Sequence, residues 1–369
     1  MPAHLLPTTA ADGLYVGLMS GTSLDAVDAV LLQCGKEIRL QASHSQPIPS
    51  TLRTEILALC QSGENEIDRA GAAHIALGHL FADATLTLLE SAGVAASEIR
   101  AIGSHGQTIR HRPGGEGFTV QIGSADVLAV RTGIAVVSDF RNRDMVLGGQ
   151  GAPLVPTFHQ AMWGHQPRCA IVNIGGMANI TWLDNGEIIS GFDTGPGNVL
   201  MDHWAQQHRG TPFDRNGAWA ASGQVDQKLL DALLDEPYFS LPAPKSTGRE
   251  LFNAAWLERH RGEQRAEDIQ ATLLELTAVT IANALSLFKP STVLVCGGGA
   301  HNQALLGRLQ ALMNNARVRP TGDAGMPADW VEAAAFAWLA WARLSGITGN
   351  AVRVTGASRP AILGALYLP

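Results

Sequence analysis

Three short glycine clusters follow directly on apolar runs: Ser20-Gly21-Thr22-Ser23 after Leu14–Met19, Gly175-Gly176 after Ile171–Ile174, and Gly297-Gly298-Gly299 after Val293–Cys296. Apolar runs of that length read as strands. A glycine turn at a strand end lets main-chain N–H groups approach an anion closely and form a concave nest for phosphate. Each turn alone reads more often as an ordinary tight turn; three at strand ends, in two similar halves, favour the phosphate reading. Asp25 and Asp28 flank the first turn. They are either solvated loop acids or, beside a phosphate cradle, carboxylates that hold a divalent ion through water, as Mg²⁺ prefers. Asp193 lies at a strand end in Gly191-Phe192-Asp193-Thr194-Gly195-Pro196-Gly197-Asn198. It either caps the next helix or acts as a general base that activates water or a hydroxyl at a phosphoryl centre. His105, among the hydrogen-bonding residues of Gly103–Thr108, is either structural or ligand-contacting. Arg141, Arg143 and Asp144 form either an anion-facing cluster or a surface pairing.

The elements that must position these residues form two series. Leu14–Met19 and Ala26–Leu32 read as strands about the first glycine turn; helices follow over Ser50–Cys60 and Ile67–Ser91, then strands at Ile99–Ser104, Thr119–Ile122 and Ile134–Val137. A second series opens with Cys169–Ile174, Asn179–Leu183 and Ile188–Phe192, continues in helices, and returns to a buried-type strand, Thr292–Cys296. Both halves open strand–glycine turn–strand, as a duplicated α/β domain would. Neither GxxxxGK[ST] nor GxGxxG occurs, which removes most support for P-loop and Rossmann readings.

Composition sets the outer bounds. The chain has 369 residues, 40 of them glycine, with 46% hydrophobic and 16% charged residues. That composition excludes disorder, and the length suggests two domains. With a net charge of −7 and no basic run, the sequence carries no nucleic-acid patch. The four cysteines are scattered without metal-ligand spacing. No signal-like start and no unbroken apolar run of about 18 residues is present, so a cytoplasmic protein without membrane spans is expected.

A longer set of motifs carries a family resemblance: GLMSGTSLDAVDAVL (Gly17–Leu31), GSHGQTIRHRP (Gly103–Pro113), SDFRNRD (Ser138–Asp144), GGQGAPLVPTFH (Gly148–His159), NIGGMANIT (Asn173–Thr181), GFDTGPGNVLMD (Gly191–Asp202), PKSTGRELFN (Pro244–Asn253) and CGGGAHN (Cys296–Asn302). Together these resemble the anhydro-N-acetylmuramic acid kinases of bacterial cell-wall recycling. The resemblance implies an α/β fold of two actin/hexokinase-like (ribonuclease H-like) domains with ATP in the cleft between them. It also implies a kinase that uses ATP, Mg²⁺ and water to turn 1,6-anhydro-N-acetylmuramic acid into N-acetylmuramic acid 6-phosphate. Expected domains are 1–133 plus 347–369, and 134–346.

By the same resemblance, Gly21, Thr22, Ser23, Leu24, Asp25, Ala26, Val27 and Asp28 form the first ATP-binding segment, with Asp25 meeting Mg²⁺ through water. Gly175 and Gly176 form the second segment, and Gly297, Gly298 and Gly299 lie near the nucleoside. Asp193 is the catalytic aspartate, while His105, Arg143 and Glu332 bind the sugar. A homodimer is implied. Ala26 stands where the family usually has glycine, which would strain a left-handed backbone there. Another sugar or acid kinase of this fold, or a non-catalytic actin-like ATP-binding protein, is the alternative.

Overall fold

A computed structural model describes residues 11–369 except 22, 23 and 116. The chain divides into two compact units, a first running through Phe158 and resuming over Trp330–Pro369, and a second over His159–Asp329.

The first unit is built on a six-stranded sheet. Its strands are β1 (Gly13–Ser20), β2 (Ala26–Cys34), β3 (Arg39–Pro47), β4 (Ile99–Ser104), β7 (Val136–Ser138) and β13 (Ala365–Tyr367); β5 (Gln107–Arg112) and β6 (Phe118–Ile122) make a separate hairpin. The order is β13-β7-β4-β1-β2-β3. β1, β2 and β3 form an antiparallel meander, and β4 joins β1, and β7 joins β4, in parallel.

The second unit repeats that plan with β8 (Cys169–Ile174), β9 (Met177–Asp184), β10 (Glu187–Pro196), β11 (Thr292–Cys296) and β12 (Arg317–Pro320), ordered β10-β9-β8-β11-β12. Again three antiparallel strands are followed by two parallel ones. The centre strands β8 and β11 are apolar except for half-buried Asn173 and Thr292, as strands largely buried on both faces require.

The helix Val331–Leu344, alanine-rich and almost wholly buried, packs on β1 and β4. Gly17 and Gly103 sit side by side on those strands, and a Cβ on either would overlap a helix carbonyl, that of Ala333 or of Phe336. The glycines therefore let the helix rest directly on the sheet backbone. This helix, together with the pairing of β7 with β4, corrects the expected boundaries: residues 134–158 and 330–346 belong to the first unit.

Two helices, Glu66–Ala92 and Ala266–Ser286, are long and apolar enough by composition to cross a bilayer, although no unbroken apolar run suggested it. The first packs on β2 and β3 and the second on β9 and β10.

Candidate active site

Asp193 is anchored through both backbone and side chain. Its register in β10 breaks at a bulge between Asp193 and Gly195, a device that re-aims side chains. Its N–H donates to the Lys245 carbonyl at 3.2 Å, and its carbonyl accepts the Tyr238 hydroxyl at 2.7 Å. The Thr247 N–H donates to Oδ2 at 3.0 Å. Burial pushes the carboxyl up to about 6, partly opposed by the Thr247 bond and assisted by the Glu250 charge. The helix-cap reading is not realised, since the next helix, Val199–Arg209, follows Asn198 without a side-chain cap. Lys245 is committed elsewhere: Nζ donates to the Tyr238 and Phe239 carbonyls, both at 3.0 Å, over the Tyr238 ring.

The glycine clusters separate into two kinds. Gly297 has φ +74°, and a Cβ there would strike the Asn173 side chain; a Cβ on Gly299 would strike Ile174. The fold itself demands those two. Gly21, Gly175, Gly176 and Gly298 are not left-handed, and a Cβ on each meets only open space or ordinary contact. Gly175 and Gly176 form the whole link from β8 to β9, and their carbonyls accept the N–H groups of Asn198, Gly197 and Val199 at 2.8–3.1 Å. No side-chain packing demand accounts for these four glycines, and without Cβ atoms their backbone is open to close approach.

Near this second turn lies a group that sequence reasoning did not assign. The Arg249 guanidinium lies 4.0 Å from where a Gly176 Cβ would stand. Asp202, in the first turn of the helix Val199–Arg209, is pushed up to about 7 by burial, with Arg249 opposing and Asp214 assisting. Asp202 and Arg249 both fall inside motifs quoted above, but nothing in their spacing marked them as neighbours.

In the first unit, Leu24 N–H donates to the Gly21 carbonyl at 3.2 Å, closing the turn. Thr22 and Ser23 lie outside the described residues. Leu24 carries the left-handed backbone, φ 56°, while Ala26 begins β2 without positive φ, so the expected strain at Ala26 does not arise. Leu24 and Val27 bury their side chains and have only main chain to offer a ligand. Asp28 accepts the Ser45 hydroxyl at 2.9 Å. Exposed Asp25 pairs with Arg53 at 3.2 Å. Among the described residues no three His, Cys, Asp or Glu side chains gather as metal ligands.

His105 is buried. Its Nδ1 donates to the Gly106 carbonyl at 2.8 Å and its Nε2 accepts from Arg141 at 2.8–3.0 Å. Only the neutral Nδ1–H tautomer satisfies both contacts, and burial accordingly holds its pKa well below the usual value. With both ring nitrogens engaged by protein, His105 positions Arg141. Arg141 also donates to the Gly151 carbonyl at 2.7 Å; burial lowers its pKa to about 10 while the nearby Glu332 charge opposes that shift. Burial raises Glu332, with Arg141 opposing and Asp28 assisting.

Arg143 is not part of that group. It is exposed and lines a surface pocket with Arg343 and Arg359. Asp144 is buried and accepts from the Gly151 N–H, Asn350 and Thr355, each at 2.8 Å. The inward arginine of the expected cluster is Arg141.

Two units that share a five-strand order, β13 being extra in the first, and glycine turns at the ends of matching strands define the class of actin- and hexokinase-like α/β proteins. Within that class the family model described as anhydro-N-acetylmuramic acid kinase matches residues 13–369, and the chain belongs to that family. A relative of that name from Shewanella pealeana is 53% identical over 361 residues, 96% of this chain and 98% of the relative. One from Pseudomonas fluorescens is 52% identical over 360 residues, 96% and 99%. A solved structure, the activator of the 2-hydroxyisocaproyl-CoA dehydratase from Clostridium difficile with bound ADPNP, is a much looser likeness. It shows 14% identity and a TM-score of 0.48, over 90% of this chain and 96% of that one.

Proposed function

We propose that this enzyme opens the 1,6-anhydro ring of anhydro-N-acetylmuramic acid with water and phosphorylates O6 from MgATP, giving N-acetylmuramic acid 6-phosphate and ADP. The observation that carries the reading is Asp193: a carboxylate fixed by a main-chain N–H, with its pKa pushed up to about 6 by burial. That value makes it a competent base near neutral pH.

The anhydro bridge is an intramolecular glycoside, so its opening needs a nucleophile at C1 and a stabilised leaving oxygen. Asp193 takes a proton from water as the water oxygen bonds to C1. The C1–O6 bond breaks, O6 bonds to the γ-phosphorus, and the bond from that phosphorus to the β,γ-bridging oxygen breaks, leaving ADP. Phosphoryl transfer to O6 replaces the acid that ordinarily protonates a glycoside's leaving group.

The main-chain N–H groups about Gly21, Gly175–Gly176 and Gly298 are assigned to ATP, where fixed donors stabilise phosphate charge without reorganising. Mg²⁺ would come with the nucleotide and neutralise phosphate charge, and Asp25 would hold it through water, a role its exposed and weakly held pair with Arg53 leaves open. Glu332 is assigned to the sugar hydroxyls. Arg141, held by His105, takes the place first assigned to Arg143 as the cation for the lactyl carboxylate. A homodimer working in the cytoplasm, where ATP is made, with no nucleic-acid or membrane partner, fits this reading.

The test is turnover in ¹⁸O-water, with rapid quenching and mass analysis of the sugar phosphate. Label at C1 beyond the anomeric-exchange control is expected. A product labelled only at the exchange background would replace ring hydrolysis with simple phosphorylation of a hydroxyl.

A further inference from the structure

The surface pocket that Arg143 lines has no part in the chemistry above. It lies within the first unit, walled by segments around Asp139–Leu147, Arg343–Thr348 and Arg359–Leu366, with a volume of about 920 Å³. That is within the range of small-molecule sites. Its charge runs against the chain as a whole. Acids outnumber bases in the sequence, 33 to 26, yet here Arg143, Arg343 and Arg359 converge with only one acid, Asp139. The Asp139 carboxylate is already engaged, accepting from the Asn142 amide at 2.5 Å.

Arg343 Nε donates to the Gly364 carbonyl at 3.0 Å, which fixes that guanidinium in the wall. The side chains of Arg143 and Arg359 have no hydrogen-bond or ion-pair partner among the described residues. Guanidinium groups gathered without counter-charge repel one another, and a bound anion relieves that cost. Their planar forks match phosphate oxygens in pairs. The remaining wall includes Val146 and Ile362, which suit the organic body of a ligand better than a bare ion. The pocket is also distinct from the Glu332 group. The helix Val331–Leu344 carries Glu332 in its first turn and Arg343 in its last, about 16 Å apart along the axis.

We propose that this pocket binds the phosphomonoester of a small organic molecule, at a site separate from Glu332 and its partners. The full-length protein is titrated calorimetrically with glucose 6-phosphate and with glycerol 3-phosphate, using glucose and glycerol as controls. Saturable binding of at least one phosphomonoester and of neither control is expected. Arg359→Glu should weaken it by about tenfold or more, with an unchanged thermal midpoint and unchanged basal turnover, because the exposed Arg359 side chain supports nothing in the fold. Arg143→Gln is a second, charge-neutral variant and should weaken it in the same sense. Absence of phosphomonoester binding to the wild type, or undiminished affinity in folded Arg359→Glu and Arg143→Gln, would overturn the proposal.

Discussion

The main-chain N–H of Thr247 donates to Asp193 Oδ2 at 3.0 Å, tying the carboxylate at the end of β10 to a loop more than fifty residues further along the chain. This bond survives replacement of Asp193 by Asn, whose carbonyl oxygen accepts equally well, while the basicity does not survive. Asp193→Asn should therefore lower kcat by about a thousandfold or more and leave ATP affinity within about twofold. Single-turnover kinetics together with nucleotide titration checks both. In the wild type the active form is the carboxylate, so kcat/KM should rise with pH through about 6 and level off above it.

The same group bears on stability. Asp193 holds its proton to about pH 6 in the folded chain against an ordinary value of 3.8. Between those values the native state binds more protons than the unfolded one, so this group's contribution to stability falls as pH rises through the window. Above about 6 the full penalty is present. Asp193→Asn removes it. The variant should be more stable than wild type at pH 7.5 by on the order of 1–2 kcal/mol, after allowance for partial exposure. The gain should vanish near pH 4, as urea unfolding at the two pH values will show.

The two kinds of glycine give a paired test. At Gly297 the left-handed backbone and the Asn173 contact oppose any side chain, so Gly297→Ala should cost about 2 kcal/mol or more of stability. Gly176→Ala meets nothing closer than 3.9 Å and should cost less than about 1 kcal/mol. It should nevertheless raise KM for ATP by about tenfold, because the methyl stands where phosphate is assigned. Thermal midpoints and ATP saturation curves separate the two effects; equal KM values for Gly176→Ala and wild type would remove that turn from the nucleotide site.

The strands on either side of the glycine turns were legible because their signal is local: apolar runs closed by glycine. The two-unit plan was legible because that signal repeats. What depended on distant contacts was not. Gly17 and Gly103 read as unremarkable strand residues until the helix Val331–Leu344 arrives from far along the chain to lie on them. The same helix moved the domain boundary. β3 alternates exposed and half-buried residues without an apolar core face, and β12 is four residues rich in arginine, so neither announces itself as a strand. Arg141 and Arg143 stand two residues apart at the start of the short helix Asn142–Val146. Which of them turns inward is settled by His105 and the Gly151 carbonyl, and no spacing rule encodes that.

Arg141 is accordingly the more demanding arginine. Its guanidinium meets both the His105 ring and the Gly151 carbonyl from a half-buried position, a geometry a lysine ammonium cannot reproduce. Arg141→Lys should lose about 2–3 kcal/mol of stability. His105→Gln, which retains an acceptor, should lose less and raise the sugar KM without a comparable change in kcat for a bound substrate. Arg143→Lys, at an exposed position, should shift stability by no more than about 0.5 kcal/mol. Denaturant unfolding of the three variants orders them.

Arg249 supplies the last test. It lies beside Gly176 with half-buried Asp202 as its neighbour, so the pair joins a long, flexible cation to a carboxylate whose charge depends on pH near neutrality. If the Gly175–Gly176 turn holds phosphate, Arg249 adds charge there that main-chain amides cannot. Arg249→Ala should then raise KM for ATP by about tenfold, and Arg249→Lys by less, since the charge is retained and only the fork is lost. Removing the guanidinium also removes the influence that lowers the Asp202 carboxyl, whose value of about 7 is already raised by burial. Asp202 should therefore titrate higher in Arg249→Ala than in wild type. Carboxyl-detected NMR of the selectively labelled protein measures that shift directly, and ATP saturation kinetics measure the other. An unmoved Asp202 signal would break the pairing even if the kinetics changed.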